Sequence, residues 1–464
     1  MKRAQSRSAI FAVLAAMTLV VLDASIVNVA LPTIGRSLNV TTAASVLIVT
    51  AYQSALVMAL LPCAALGDSI GHRWIFTSGV ALFVVASALC ASSPSLTWLV
   101  AARFLQGLGG AAVMSLGIAL LRQVVPPSQL GTAIGWNALT VALSSAAGPT
   151  VGALILSVLS WPWLFAVNLP LGALALIVSR ALPEGAGTGH GLSLPSMALN
   201  AGAFGAFVLG AELLPARPSA AAALIAAAAM FFLLLVRREL SQETPLIPLD
   251  LLRSRPFGVS VIASVCCFIG QTAGMIALPF HLQHNLHQTP LMTGLLVTPW
   301  PLTVALTAPL AGRLADRVSS ALLCMAGGAG LALGLAACAA WPVEKGPLPL
   351  VPFIMLCGAG FGLFQVPNNR EMFLGAPSER SGAAGGAQST ARLTGQTMGA
   401  VVMTLLFGIA PIDAALPIGL AIGASLTFIA GLVSTLRRPR ETKPWSSARG
   451  PAVAPAPFGN ANNP

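Results

Sequence analysis

Charge is what this sequence has least of. Only 8% of its 464 residues are Asp, Glu, Lys or Arg, against about a quarter in an ordinary soluble domain. With 56% hydrophobic residues and a mean hydropathy of +0.85, a water-soluble globular fold is excluded. Paired cysteine motifs are missing too. The seven cysteines all lie in apolar runs with no CxxC pair, which argues against a zinc site or a thiol redox centre. HExxH does not occur, the one GxSxG match, Gly67-Asp68-Ser69-Ile70-Gly71, falls in the polar break after the second apolar run, and no acidic pair falls inside an apolar run, so the chain lacks the equipment of a membrane-embedded enzyme. No cofactor or metal is expected. The net charge of +11 is spread singly among short polar breaks, not gathered into the stripe that nucleic acid requires.

What is present is a series of long apolar runs. A helix needs about 20 apolar residues to cross a hydrocarbon core about 30 Å thick. Runs that meet this need lie near 9–31, 43–66, 74–92, 96–120, 131–159, 162–182, 192–214, 219–236, 257–280, 290–312, 319–341, 348–369, 382–409 and 414–436, which predicts fourteen spans. The first run contains Asp23 and continues past Leu31 with no small-residue cleavage site, so it reads as a span and not a leader. With a cytoplasmic N-terminus, nineteen Lys and Arg fall on the inner side and only Arg36, Arg217 and Lys345 on the outer. That bias predicts an inner-membrane protein with both termini in the cytoplasm.

The chain also repeats itself. Leu66-Gly-Asp68-Ser-Ile-Gly71 is echoed by Leu314-Ala-Asp316-Arg-Val-Ser319, and Gly131-x-Ala133-x-Gly135 by Gly382-x-Ala384-x-Gly386, at offsets of 248 and 251 residues. Such an offset leaves room for two extra helices between two six-helix halves. The expected division is 1–185 for the first half, 186–240 for the extra pair, 241–438 for the second half and 439–464 for a disordered tail. Parallel repetition of this kind places a substrate cavity between the halves.

Within hydrocarbon, an ionisable side chain is a functional candidate by default. Three stand deep in spans: Asp23, Arg103 and Arg392, with Glu212 and Asp413 near helix ends. Asp23 and Arg103 each lie eight residues from the outer end of their runs, roughly 12 Å below the surface at 1.5 Å per residue. Equal depth permits an ion pair, and an arginine that moves relative to a buried carboxyl can switch it between proton uptake and release. The same pair is also able to serve as a static packing device. Arg103, Gln106 and Gly107 share one helical face, expected to line the cavity or meet span 1. Asn28 is structural or cavity-lining. Ser144, Gly148 and Gly152 recur every fourth residue and invite close helix packing, while Pro149 interrupts the backbone bonding. Asp68 opposes the dipole of its own helix end and needs a cation such as Arg73 or another helix's N-terminus. With Gly71 these residues read as a cytoplasmic gate. His281, His284 and His287 lack an acidic or thiol companion, so they read as loop residues and not a metal site.

Several longer motifs complete the reading. Leu22-Asp23-Ala-Ser-Ile-Val-Asn28-Val-Ala-Leu-Pro32, Arg103-Phe-Leu-Gln106-Gly107-Leu-Gly109, Gly148-Pro149-Thr-Val-Gly152 and Trp161-Pro-Trp163-Leu-Phe165-Ala-Val-Asn168-Leu-Pro170-Leu-Gly172 resemble the fourteen-span drug/proton antiporters of the major facilitator superfamily. Gly358-Ala-Gly360-Phe-Gly362-Leu-Phe-Gln365-Val-Pro367-Asn368 and Arg392-Leu-Thr-Gly395-Gln396-Thr-Met-Gly399 extend the likeness into the second half. The resemblance implies proton coupling at Asp23 and Arg103, an antiporter motif at Gly148, Pro149 and Gly152, and control of opening by Asp68, Gly71 and Arg73. Ala64, Ser69 and Pro162 depart from the pattern, standing where the family usually has Gly, Arg and Arg.

The combined expectation is an all-α integral membrane protein with the major facilitator fold. Its partners would be protons, a small lipophilic or cationic substrate and the bilayer, with periplasmic or outer-membrane efflux partners left open. A dedicated metabolite exporter or an uncoupled facilitator of the same fold is the alternative.

Overall fold

A computed structural model describes residues 3–184, 193–240, 242, 249–376 and 381–437. The expected tail at 439–464 and the junction at 185/186 lie outside them. Among the described residues every regular element is helical. In the first half these are α1 Arg3–Ser37, α2 Thr42–Ile70, α3 His72–Ala91, α4 Leu96–Val124, α5 Pro127–Val158, α6 Trp163–Ala166 and α7 Asn168–Ser179. α8 Leu194–Leu213 and α9 Pro218–Glu239 follow. The second half comprises α10 Leu249–Arg253, α11 Arg255–Phe280, α12 Pro290–Val297, α13 Pro299–Leu314, α14 Ser320–Ala339, α15 Val351–Leu374, α16 Ser381–Ile409 and α17 Ile412–Thr435.

Local chemistry sets the boundaries. Thr41, Ser95, Thr289 and Ser319 cap α2, α4, α12 and α14, each side-chain oxygen accepting a hydrogen bond from a backbone N–H three residues on, as free N–H groups at helix starts require. Pro127, Pro218, Pro290 and Pro299 open their helices at the position where a missing N–H costs nothing. Gly71 alone separates α2 from α3 and has φ 125°, a region that disfavours any side chain. The expected loop of residues 67–73 is therefore a one-residue break.

Twelve helical segments are long and apolar enough to cross a membrane, so the chain is a multi-pass membrane protein. That is two fewer than the fourteen apolar runs. Trp163–Ser179, counted across Val167, is apolar but shorter than the twelve. Ser381–Ile409 has ample length but is not among the twelve, since Ser, Gln, Thr, Gly and Arg392 dilute its hydropathy. α1 runs on through Pro32 to Ser37, past the expected end at Leu31.

α5 lies against α12 and α13, and α16 lies against α2. The start of each of these two helices carries one copy of the repeated Gly-x-Ala-x-Gly motif, and the alanines Ala133 and Ala384 are both buried. Each half thus lends the helix that bears its repeat to the other half. α8 and α9 pack on each other, and α8 rests on α2, where the Asn200 carboxamide donates to the Met58 carbonyl at 3.0 Å. At the end of the bundle carrying the 38–41 loop, Gln283 knits α1 to the turn after α11. It accepts from Arg36 at 2.8 Å and donates to the Val29 carbonyl at 3.1 Å. One apolar cluster there spans both halves and includes Ile26, Ile34, Phe280 and Trp300.

Candidate functional site

Asp23 sits in the middle of α1 and is fully buried. A carboxylate so placed is tolerable only when its charge and lone pairs are answered, and here side chains of two helices, α4 and α7, answer them. Arg103 of α4 donates to Oδ2 at 2.5 Å. Gln106, one turn further along α4, donates to Oδ1 at 3.0 Å, and Asn168 at the start of α7 donates to the same oxygen at 2.6 Å. Gln106 also accepts from Arg103 and donates to Ser87 of α3 at 2.8 Å. The remaining face of the guanidinium stacks on Tyr52 of α2, with Cζ 4.1 Å from the ring centroid, and Nε donates to the Ile48 carbonyl at 3.3 Å.

The ion pair expected from equal depth is therefore present, but its neighbours differ from expectation. Gln106 and Gly107 do not line a cavity. Gln106 is fully buried in the network, and a Cβ on Gly107 would collide with the Tyr52 carbonyl and stand 2.8 Å from the Ala55 methyl. Asn28 is half-buried with its Oδ1 unpartnered. Asn168, Ser87 and Tyr52 are participants that span reading missed. Asn168 had one signal, its place in the motif Trp161 to Gly172. That motif docks on α1 as a unit: Trp161 donates to Ser37 at 3.0 Å and meets Phe165 edge-on at 6.3 Å. The α6–α7 break then aims Asn168 at Asp23.

The Gly148 motif supports the same site from behind. Gly148 and Gly152 let α5 press on α1: a Cβ at Gly148 would overlap the Ser25 side chain, and one at Gly152 would lie 3.1 Å from the Ile26 carbonyl. Ser25 donates to the Ser145 carbonyl at 2.9 Å across this seam. Beyond Pro149, α5 reaches the second half, where Thr150 and Thr298 share a hydrogen bond of 2.6 Å. Gly148→Leu should force α5 away from the helix that carries Asp23. The expected result is destabilisation of about 1–3 kcal/mol, the usual cost of overpacking, read as a lower melting temperature and loss of transport. An unchanged melting temperature would show that the seam is loose.

At the N-terminal end of the bundle, Asp68 takes His72 as its partner, at 3.0 Å. Arg73, the expected partner, points instead to Glu184 at 2.6 Å. The i,i+4 geometry across the Gly71 break favours His72, whereas Arg73 faces the end of the first half. Gln123 of α4 closes on His72 at 3.1 Å, which ties α2, α3 and α4 together at Asp68. Among the histidines, His281 is buried, and His284 lies 3.4 Å from Asp413 of α17. The fold thus supplies an acidic neighbour that sequence spacing did not show. Among the described residues no three metal-ligating groups converge.

The buried acid–base pair thus sits on helices of the first half, packed by small residues against a helix that reaches the second half. The family model described as Major Facilitator Superfamily matches residues 13–392 and, separately, 260–461. The chain belongs to the Major Facilitator Superfamily. Its relatives are transporters. It is 42% identical to the "Uncharacterized transporter YebQ" of Escherichia coli over 93% of this chain and 96% of that one. It is 32% identical to the "Multidrug resistance protein Stp" of Mycobacterium tuberculosis over 83% of this chain and 73% of that one. Its fold matches the crystal structure of a POT family transporter in complex with a thioalcohol-conjugated peptide, with a TM-score of 0.71 at 13% identity, covering 93% of this chain and 95% of that one.

Proposed function

We propose that this superfamily member is a proton-coupled antiporter that exports small lipophilic compounds by alternating access, as a fourteen-span protein of the inner membrane with both termini cytoplasmic. In this reading Trp163–Ser179 and Ser381–Ile409 supply the two crossings beyond the twelve most apolar ones. Two six-helix halves flank the α8–α9 pair.

The carrying observation is the sealed Asp23 site. Two charges have been taken out of water at a cost that packing alone does not repay, and their carboxylate accepts from three side chains on α4 and α7. A proton arriving at Asp23 would dissolve the ion pair and free Arg103 and Asn168. Because these groups sit on different helices, protonation and helix arrangement are linked. The seam of Gly148 and Gly152 on α1 supports transmission of that change through α5 to the second half. The printed name of the Mycobacterium tuberculosis relative supports a drug-like substrate.

Cationic substrates find less support than the sequence offered. Asp23, the carboxylate expected to attract them, is closed off by Arg103, Gln106 and Asn168. The test is efflux from cells that lack their own major exporters, using a panel of neutral, anionic and cationic lipophilic dyes. Expression of this chain should lower the retention of at least one dye, and collapse of the proton gradient by an uncoupler should restore it. Export that survives the uncoupler at full rate would leave an uncoupled facilitator.

A further inference from the structure

Arg392 has no role in the network just described. It stands in the middle of α16, eleven residues from the Ser381 end of a helix of 29, and so roughly 16 Å along its axis at 1.5 Å per residue. It has no hydrogen-bond or ion-pair partner among the described residues. Its nitrogens are not among the buried polar atoms that lack a partner, and the residue is half-buried, so the guanidinium opens onto free space. Leu393, beside it, joins the apolar cluster of Tyr52, Leu56 and Val57 on α2. Arg392 itself is near enough to Tyr52 for the two to interact electrostatically. The cation therefore lies near the contact of α16 with α2, where the two halves meet.

Charge balance makes this position informative. Asp23 and Arg103 neutralise each other, and no other acidic residue among the described ones stands deep in a span. Among the described residues Arg392 is the cation deep in a span that is left without a counter-charge or a hydrogen bond, since the buried Arg437 lies past the end of α17 and bonds to Asn368 and Ser434; a low-dielectric site keeps such a charge only for a purpose. On α16 the neighbours of Arg392 at four-residue spacing are Gln388 and Gln396, both half-buried. Gln388 reaches Asn369 of α15 at 3.4 Å. Gly395 and Gly399, three and seven residues on and so on the same side of α16, pack that side onto α11 further along, which places the guanidinium and the two carboxamides at the border of the α11 contact.

We infer that Arg392 anchors an anion-binding subsite between α2 and α16, and that the compounds this chain carries include aromatic or aliphatic amphiphiles bearing a carboxylate or a similar monoanionic group. The guanidinium answers the anion, the flanking glutamines supply further polar contacts, and the accessible space beside them at the border of α2 and α16 receives the lipophilic body. The inference deepens the exporter reading by naming a substrate class, and it rests on that reading for the word transport.

The test is binding to the full chain in phosphatidylcholine nanodiscs, with empty nanodiscs subtracted. The probes are 2-naphthoate, 4-biphenylcarboxylate and 4-hexylbenzoate, each compared with its neutral carboxamide and with the arylmethylammonium ion of the same skeleton. At least one carboxylate should bind tighter than its carboxamide by about tenfold or more, the effect expected of a charge-assisted hydrogen bond in a poorly solvated site. Arg392→Gln should abolish the difference, and Arg392→Glu should shift the preference to the ammonium compound. If wild type binds no carboxylate better than its carboxamide, the inference is wrong whatever the variants do. It is equally wrong if the preference survives in Arg392→Gln. The assay uses no proton gradient and no turnover, so an uncoupled facilitator of anions passes it and a coupled exporter of neutral compounds fails it.

Discussion

Asp23→Asn should insert at wild-type levels and still bind and exchange substrate, yet accumulate none against a gradient. The carboxamide is the same size as the carboxyl and retains an acceptor for Gln106 and Asn168, whose donors reach Oδ1 at 3.0 and 2.6 Å. Those two bonds are thus kept, while the carboxamide NH2 faces Arg103, which stays buried without its counter-charge at some cost in stability. What disappears is the negative charge that holds Arg103 at 2.5 Å and the capacity to take a proton. The expected phenotype is separation of two activities. Counterflow, in which labelled substrate outside exchanges for unlabelled substrate inside, should remain within a few-fold of wild type. Uphill export should fall to the level of membranes without the protein. Loss of both activities in a protein that still melts cooperatively would make the site structural, a fixed pair that sets helix packing.

The second large effect concerns stability. Arg103→Leu should be among the most damaging single substitutions in the chain, because it leaves a fully buried carboxylate with its cation gone. Breaking a buried pair from one side costs about 3–5 kcal/mol, and the leucine also forfeits the stacking on Tyr52 and the bond to the Ile48 carbonyl. Most of that loss is the penalty on Asp23 itself, so it should be recovered when the charge is removed as well. The double variant Asp23→Asn with Arg103→Leu should melt close to Asp23→Asn alone and well above Arg103→Leu. Thermal unfolding of the four proteins in one detergent gives the cycle directly. Additive losses would mean that the two side chains are energetically independent despite their contact.

These expectations depend on features that the sequence exposed unevenly. Fourteen apolar runs were readable because lipid leaves the backbone only helices, and their limits moved where local chemistry intervened. α1 runs past Leu31 because a proline inside a helix removes one hydrogen bond without forcing an end. The helix recovers by Ser37, and the Arg36 side chain donates back to the Pro32 carbonyl at 3.3 Å. The Asp23–Arg103 pair was legible from depth alone, since charges in hydrocarbon have few places to go. Asn168 was not, because its approach to Asp23 depends on the division of α6 from α7 at Val167 and on the docking of Trp161 against Ser37. Nor could spacing choose between His72 and Arg73 for Asp68. That choice turns on the backbone at Gly71, whose φ of 125° fixes the direction of α3.

The repeat was the most economical signal. It placed Ala133 and Ala384 in corresponding positions 251 residues apart, and both prove to be buried at the start of a helix that reaches toward the opposite half. Arg392, by contrast, was visible as a charge in an apolar run but carried no assignment. Its lack of a partner is a property of the assembled bundle, since only the packing of α16 on α2 and α11 shows that no carboxylate among the described residues comes to meet it.

The central claim is that Asp23 carries the coupled proton, and the direct measurement is proton movement in inverted membrane vesicles energised to an acidic interior. Lipophilic compounds, the aryl carboxylates included, are added one at a time while an internal pH dye is followed. Wild-type vesicles should release protons on addition of at least one compound, with Asp23→Asn vesicles silent to the same compound. Release of equal size from both, with the variant present in equal amount, would contradict the account and move the coupled proton away from Asp23.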